Sequence, residues 1–192
     1  MPSPLKSRLS PRLPFWDYRQ AAAYFVTIAT QGRAHYFGAV ENGVMQFSPV
    51  GILADVLWHE IKHHAENVEL GAFVVMPNHI HGILTLKNNE YDCRDVACCR
   101  DVACNVPTEI AMPQKNEFMA NISPKSNSVS TIIRSYKSAV TRHAHRLGLD
   151  FAWQGRFYDN IIRDDVAYEH ITNYIINNPA KWEEDKFYKR RP

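Results

Sequence analysis

The chain has 192 residues, 45% of them hydrophobic and 22% charged, which suits one sizeable core with decorations rather than several domains. A formal charge of only +2 excludes a nucleic-acid reading based on total charge, so any such surface has to be local. No stretch approaches the roughly 18 consecutive apolar residues of a membrane span, and the start, MPSPLKSRLSPRLPFWDY, lacks a secretory core; a cytoplasmic protein with no membrane partner is expected.

Residues 1 to 14 place Pro2, Pro4, Pro11 and Pro14 among Lys6, Arg8 and Arg12, the composition of an extended basic arm. AYFVTIAT (23 to 30) is rich in aromatic and β-branched residues and predicts a strand. HYFGAVENGVMQF (35 to 47) predicts a hairpin turning at Glu41-Asn42-Gly43. Ser48 then caps a helix beginning at Pro49, with Leu53, Val56, Leu57 and Ile61 as its expected apolar stripe. VELGAFVV (68 to 75) and HIHGILTL (79 to 86) are two more strands, joined by Met-Pro-Asn turn chemistry into a second hairpin.

Periodicity is lost from 87 to 128, too long a stretch for an ordinary connection and best read as a disordered insertion. All four cysteines fall here, in the tandem hexapeptide CRDVACCRDVAC (93 to 104). Their spacings of four, zero and four residues do not match paired Cys-x-x-Cys zinc ligation, and a cytosolic location disfavours disulfides, so a duplicated surface-loop segment is expected.

Helical spacing returns in STIIRSYKSAVTRHAHRLG, where Ile133, Tyr136, Val140, Ala144 and Leu147 form one stripe and Gly148 the terminator. AWQGRFYDNIIR (152 to 163) predicts a last strand, and a helix from about Asp164 to Asn178 ends at Pro179. Interleaved hairpins and helices argue for an α+β fold, economically a ferredoxin-like sandwich with an antiparallel sheet and helices packed mainly on one face.

Strand alternation puts His79 and His81 on one face and Ile80, Gly82 and Leu84 on the other. Two imidazoles about 7 Å apart at their Cα atoms are able to converge on one ion, but two half-buried histidines satisfied by hydrogen bonds fit equally well. The pair alone leaves both open.

The neighbouring residues carry a more specific signal. MPNHIHG resembles the His-hydrophobic-His motif of the single-tyrosine HUH transposases. AYFVTIATQGR, FGAVENGVMQFSPVG, FVVMPNHIHGI, IIRSYKSAVTR, WQGRFYDNIIRDD and YIINNPAKWEEDKF resemble, in order, the branch of REP-associated tyrosine transposases. Only the insert at about 88 to 128 falls outside the pattern. The resemblance implies one transposase-like domain over 15 to 182, flanked by the arm and a basic tail at 183 to 192. It also implies a tyrosine nucleophile in Tyr-Ile-x-x-Asn-Pro, here Tyr174, and a metal site of His79, His81 and the amide of Asn178. A residue before proline is disfavoured in helical geometry, which would leave Asn178 at a frayed helix end.

The implied activity is metal-dependent cleavage and rejoining of single-stranded DNA through a covalent phosphotyrosine, on hairpin-forming repeats. Magnesium prefers oxygen ligands and manganese tolerates imidazole, so Mg²⁺ is the expected cellular ion with Mn²⁺ also supporting activity. Relatives of this type occur as dimers and as monomers, which leaves a homodimer open. By helical spacing alone Tyr174 would also serve as a core aromatic beside Ile171 and Ile175. Tyr136 is a second tyrosine downstream of the histidines, ranked behind Tyr174 because it fits its helix's apolar stripe.

Candidate DNA contacts are Arg134, Lys137, Arg142, Arg156, Arg163, Arg190 and Arg191, with Trp153, Phe157 and Tyr158 available to stack on bases. The competing assignment makes these charges a solvated surface, and for Trp153 and Phe157 core packing is favoured. Two other functions compete: a non-catalytic single-stranded nucleic-acid-binding protein or domesticated repressor on the same scaffold, and a metallohydrolase using activated water, which would want acidic ligands.

Overall fold

The computed structural model describes residues 16–87 and 128–188. The expectations for the N-terminal arm, the cysteine repeat with most of its insertion, and Arg190 and Arg191 lie outside the described residues.

The fold is α+β, as expected. Strand β1 (Ala22–Ala29) is followed by a hairpin of β2 (Gly38–Glu41) and β3 (Val44–Phe47). Helices α1 (Pro49–His59) and α2 (Ile61–His64) lead into β4 (Val68–Met76) and β5 (His79–Leu86). Helix α3 (Val129–Arg146), strand β6 (Tyr158–Ile162) and helix α4 (Asp165–Asn177) complete the domain. The main sheet runs β4-β5-β1-β6, antiparallel throughout. With the small hairpin set aside, this is the strand order of a ferredoxin-like sandwich.

Local chemistry explains most boundaries. Asn42 (φ 52°) and Gly43 (φ 74°) both take positive φ, the two-residue hairpin turn whose twist matches its strands. Ser48 caps α1 by accepting from the Gly51 amide, with Pro49 where its missing N–H costs nothing. Asp164 caps α4 by accepting from Ala167 N at 2.7 Å.

The core lies between one sheet face and helices α1 and α3, and includes Tyr24, Val26, Ile28, Ile80 and Leu84 from the sheet. The stripe of α1 differs from expectation. Val50, Ala54 and Trp58 are buried, with Ile61 of α2 continuing the row, whereas Val56 is 52% exposed. Trp58 decides the rotation: its indole occupies the space over Gly82 where a Cβ would stand. The stripe of α3 is as expected through Ile133, Tyr136, Val140 and Ala144, but Leu147 falls beyond the last helical residue and is exposed. Gly148 (φ 69°) supplies the left-handed turn there.

The last strand is shorter than its composition predicts. Trp153 makes a single bridge to Thr30, Arg156 takes φ 65°, and regular pairing to β1 begins only at Tyr158. Helix α4 covers the other sheet face, where Ile175 packs with Ile83 and Ile162. That second face is where the two histidines point.

Candidate functional site

Alternation along β5 delivers His79 and His81 to the α4 side of the sheet, and their Nε2 atoms stand 3.0 Å apart. Both rings are fully buried. Phe187 stacks on His79 at 4.4 Å between centroids, and Phe25 stacks on His81 at 5.2 Å. Burial is the main cause that pushes the His79 pKa well below its ordinary value. It lowers His81 to about 4, against an opposing pull from Asp185. Both imidazoles are therefore neutral near pH 7, the form that ligates metals.

The second ring nitrogens are also held. Asn78 Nδ2 donates to the Phe187 carbonyl at 2.8 Å and the Arg33 carbonyl at 3.3 Å, which turns its Oδ1 toward His79 Nδ1 at 2.9 Å. An amide oxygen only accepts, so His79 carries its proton on Nδ1 and leaves Nε2 bare. His81 Nδ1 meets the Thr27 hydroxyl at 2.9 Å, a partner able to donate or accept. Such supports orient imidazole ligands in metal sites.

Helix α4 brings Tyr174 over the same face. Its hydroxyl lies 3.2 Å from His81 Nε2 and donates to Asp185 Oδ2, also at 3.2 Å. Its ring meets Phe25 edge to face, and 39% of the residue stays exposed. Burial and the Asp185 carboxylate push the phenol up to about 12.

Asn178 follows Tyr174 by one helical turn. Contrary to the frayed end expected before Pro179, it holds helical geometry (φ −59°, ψ −43°), and the chain continues as a 3-10 helix, Pro179–Glu184. Asn178 is 3% exposed, its Nδ2 donates to Asp185 Oδ2 at 3.2 Å, and its Oδ1 is buried without a hydrogen-bond partner.

Asp185 has no counterpart among the sequence-predicted ligands. His79, His81 and Asp185 offer ligand atoms that all lie within 4.8 Å of one another, a cluster that could hold a metal ion. Two imidazole nitrogens and a carboxylate are a donor set for a divalent ion, and the buried amide oxygen of Asn178 beside Asp185 has no hydrogen-bond partner. Asp185 escaped sequence reading because it follows the last regular helix, with no periodicity to mark it. Thr27 was legible in part, since β1 alternation puts it on the same face as Phe25.

The cationic residues divide. Arg134, Lys137 and Arg142 sit on α3, across the sheet from the histidines. Lys137 is not a free surface cation: it donates to the carbonyls of Gln154 (2.8 Å) and Arg156 (3.2 Å) and lies over the Trp153 ring. Arg156 and Arg163 are exposed beside β6. Trp153 and Phe157 join the core, leaving Tyr158 as the exposed aromatic of that group. Sequence reading missed Arg33, which donates to the Lys186 carbonyl at 3.1 Å and packs over Phe187, next to the histidines. Tyr136 is buried and donates to the Ala54 carbonyl at 2.8 Å, on the opposite side of the sheet from the site. No helix among the described residues is long and apolar enough to cross a membrane.

A ferredoxin-like sheet thus carries paired histidines on a central strand, faced by a tyrosine and an amide from one helix. The solved structure of a REP-associated tyrosine transposase bound to a REP hairpin shares this fold, with a TM-score of 0.55 and 20% identity over 91% of this chain and 76% of that one. The chain is 32% identical over 185 residues to an uncharacterized protein of Haemophilus influenzae, covering 94% of this chain and 93% of that protein, and belongs to one family with that protein. No protein-family model matches the chain.

Proposed function

We propose that the protein is a metal-dependent nuclease and strand transferase for single-stranded, hairpin-forming DNA, with Tyr174 as nucleophile. One observation carries this reading: the Tyr174 hydroxyl stands 3.2 Å from His81 Nε2 in a buried centre that also holds His79, Asp185 and Asn178. The fold shared with a transposase bound to a REP hairpin supports DNA as substrate.

Attack of the Tyr174 oxygen on a backbone phosphorus forms a phosphotyrosine bond and breaks one P–O ester bond, releasing a sugar hydroxyl; the reverse attack by a DNA hydroxyl restores the backbone and the phenol. The bond energy is kept in the covalent link, so ATP is not needed. Asp185 Oδ2 already accepts the phenolic hydrogen bond and is placed to receive the proton. Thr27 and Asn78 fix the two rings, while Phe25 packs against both His81 and Tyr174. A divalent ion held by His79, His81, Asp185 and Asn178 would polarise the scissile phosphate and offset charge on its oxygens.

The test is incubation with Mn²⁺ and a labelled single-stranded hairpin oligonucleotide, followed by denaturing electrophoresis. A covalent adduct dependent on Tyr174, His79 and His81 is expected. A second reading, a DNA-binding protein without cleavage, draws on the full burial of both histidines under Phe187. Binding with no adduct under any divalent metal would establish it instead.

A further inference from the structure

The histidine centre continues outward along α4. A cleft of about 330 Å³ opens beside Tyr174, its lining including His170, Asn173, Asn177, Lys181, Glu184 and Asp185. Tyr174, Asn178 and Asp185 belong both to this lining and to the histidine centre, so the two spaces meet at the proposed nucleophile.

The lining is chemically mixed. Three side-chain amides, those of Asn173, Asn177 and Asn178, each with donors and an acceptor, stand with one ammonium and two carboxylates. An isolated anion would face Glu184 and Asp185, and an apolar ligand would leave the amides unpaired. A nucleobase carries donors and acceptors side by side on its edge and offers a flat face for an aromatic neighbour. One N–H of Asn177 Nδ2 is committed to the Asn173 carbonyl at 2.7 Å, which leaves Asn177 an acceptor oxygen and one N–H, and the Asn173 amide with both functions. Asn173, Lys181 and Tyr174 are all exposed, so the cleft is open to solvent. Its volume falls near the lower end of small-ligand pockets, roughly 300 to 1,000 Å³.

We infer that this cleft is a nucleobase subsite, taking the unpaired base next to the phosphate that Tyr174 attacks. Asn173 and Asn177 read the base edge and Lys181 faces its sugar-phosphate. The inference rests on the tyrosine-nuclease reading above and adds to it a source of sequence preference at the cleavage point.

The test uses full-length Tyr174→Phe protein, which binds without cleaving, to select from a hairpin DNA library with a randomised unpaired flank. One flank position should be enriched for a particular base. Adding Asn173→Ala should relax that position about tenfold while leaving the other positions unchanged, whereas adding Lys181→Ala should weaken binding of all flank sequences alike. Asn173→Asp, which is isosteric and accepts only, should redirect the preference toward bases presenting an amino group, an outcome that unfolding cannot imitate. A flank with no preference, or a preference that none of these substitutions alters, overturns the subsite and leaves the nuclease reading standing on the wild-type adduct. No retained DNA and no wild-type adduct would overturn both.

Discussion

Tyr174 and His81 are 93 residues apart in the chain, yet the hydroxyl of one stands 3.2 Å from Nε2 of the other. The approach is made by two independent elements, the inward face of β5 and the inward face of α4, clamped together by Ile83, Ile162 and Ile175. Rigid elements of this kind hold reacting groups more narrowly than loops do. The first prediction concerns this pair. Tyr174→Phe removes the hydroxyl while keeping the ring against Phe25, so folding should be retained and the covalent DNA adduct lost entirely. Tyr136→Phe removes a hydrogen bond to the Ala54 carbonyl, which keeps its partner within α1, and should cost about 0.5 to 1.5 kcal/mol of stability, with adduct formation preserved. Electrophoresis and urea denaturation of the two variants check both statements; an adduct that follows Tyr136 would overturn the assignment.

The Thr27 hydroxyl meets His81 at Nδ1, the ring nitrogen that does not face Tyr174. Thr27→Val keeps the β-branched shape and removes the hydroxyl. Loss of such an orienting partner typically costs 10- to 100-fold, roughly, in metal affinity. Mn²⁺ titration calorimetry should show a loss of that size, whereas an unchanged affinity would remove His81 from the metal site.

Acid sensitivity follows from the histidines. Both fold neutral, with His81 lowered to about 4 against an ordinary value of 6.5. Below 6.5 the unfolded chain takes up protons that the folded protein refuses. Stability is thus fully present above about pH 6.5 and falls as pH drops toward about 4, by roughly 1.4 kcal/mol per pH unit for His81, with His79 acting in the same direction. Urea midpoints of metal-free protein across this interval should show the slope; a flat profile would contradict the buried neutral pair.

Asp185 raises Tyr174 by its charge and by the hydrogen bond it accepts. Asp185→Asn should therefore shift the Tyr174 titration below about 12, seen as tyrosinate absorbance relative to a Tyr174→Phe background. The same substitution should weaken Mn²⁺ binding, because it removes the carboxylate of the cluster. A lowered phenol pKa with undiminished Mn²⁺ affinity would place Asp185 outside the metal shell.

Gly82 lies between the histidine that precedes it and the core behind it. A methyl group there would meet the Trp58 ring. Gly82→Ala should cost about 1 to 3 kcal/mol by overpacking, measured by thermal or urea denaturation. Because the added methyl points away from His81, the metal affinity of the folded fraction should change little.

The sequence alone determined the element types and the face on which His79 and His81 share a side, because a strand's period of two requires it. Tyr174 and Asn178 were pointed to by the family resemblance rather than by periodicity; helical period, which is local, only sets them one turn apart. Caps such as Ser48 and the Asn42-Gly43 turn are local too, and were legible for the same reason. What only the tertiary structure decided depends on contacts between distant segments. Val56 is exposed because Trp58 finds the gap at Gly82. Lys137 is turned to the Gln154 and Arg156 carbonyls, and Asn178 stays helical because the chain continues past Pro179 as a 3-10 turn. Asp185 reaches the histidines only through that turn, which folds the chain back over β5. No periodicity encodes such a return; it is fixed by the packing of Trp182 and Phe187 against His79.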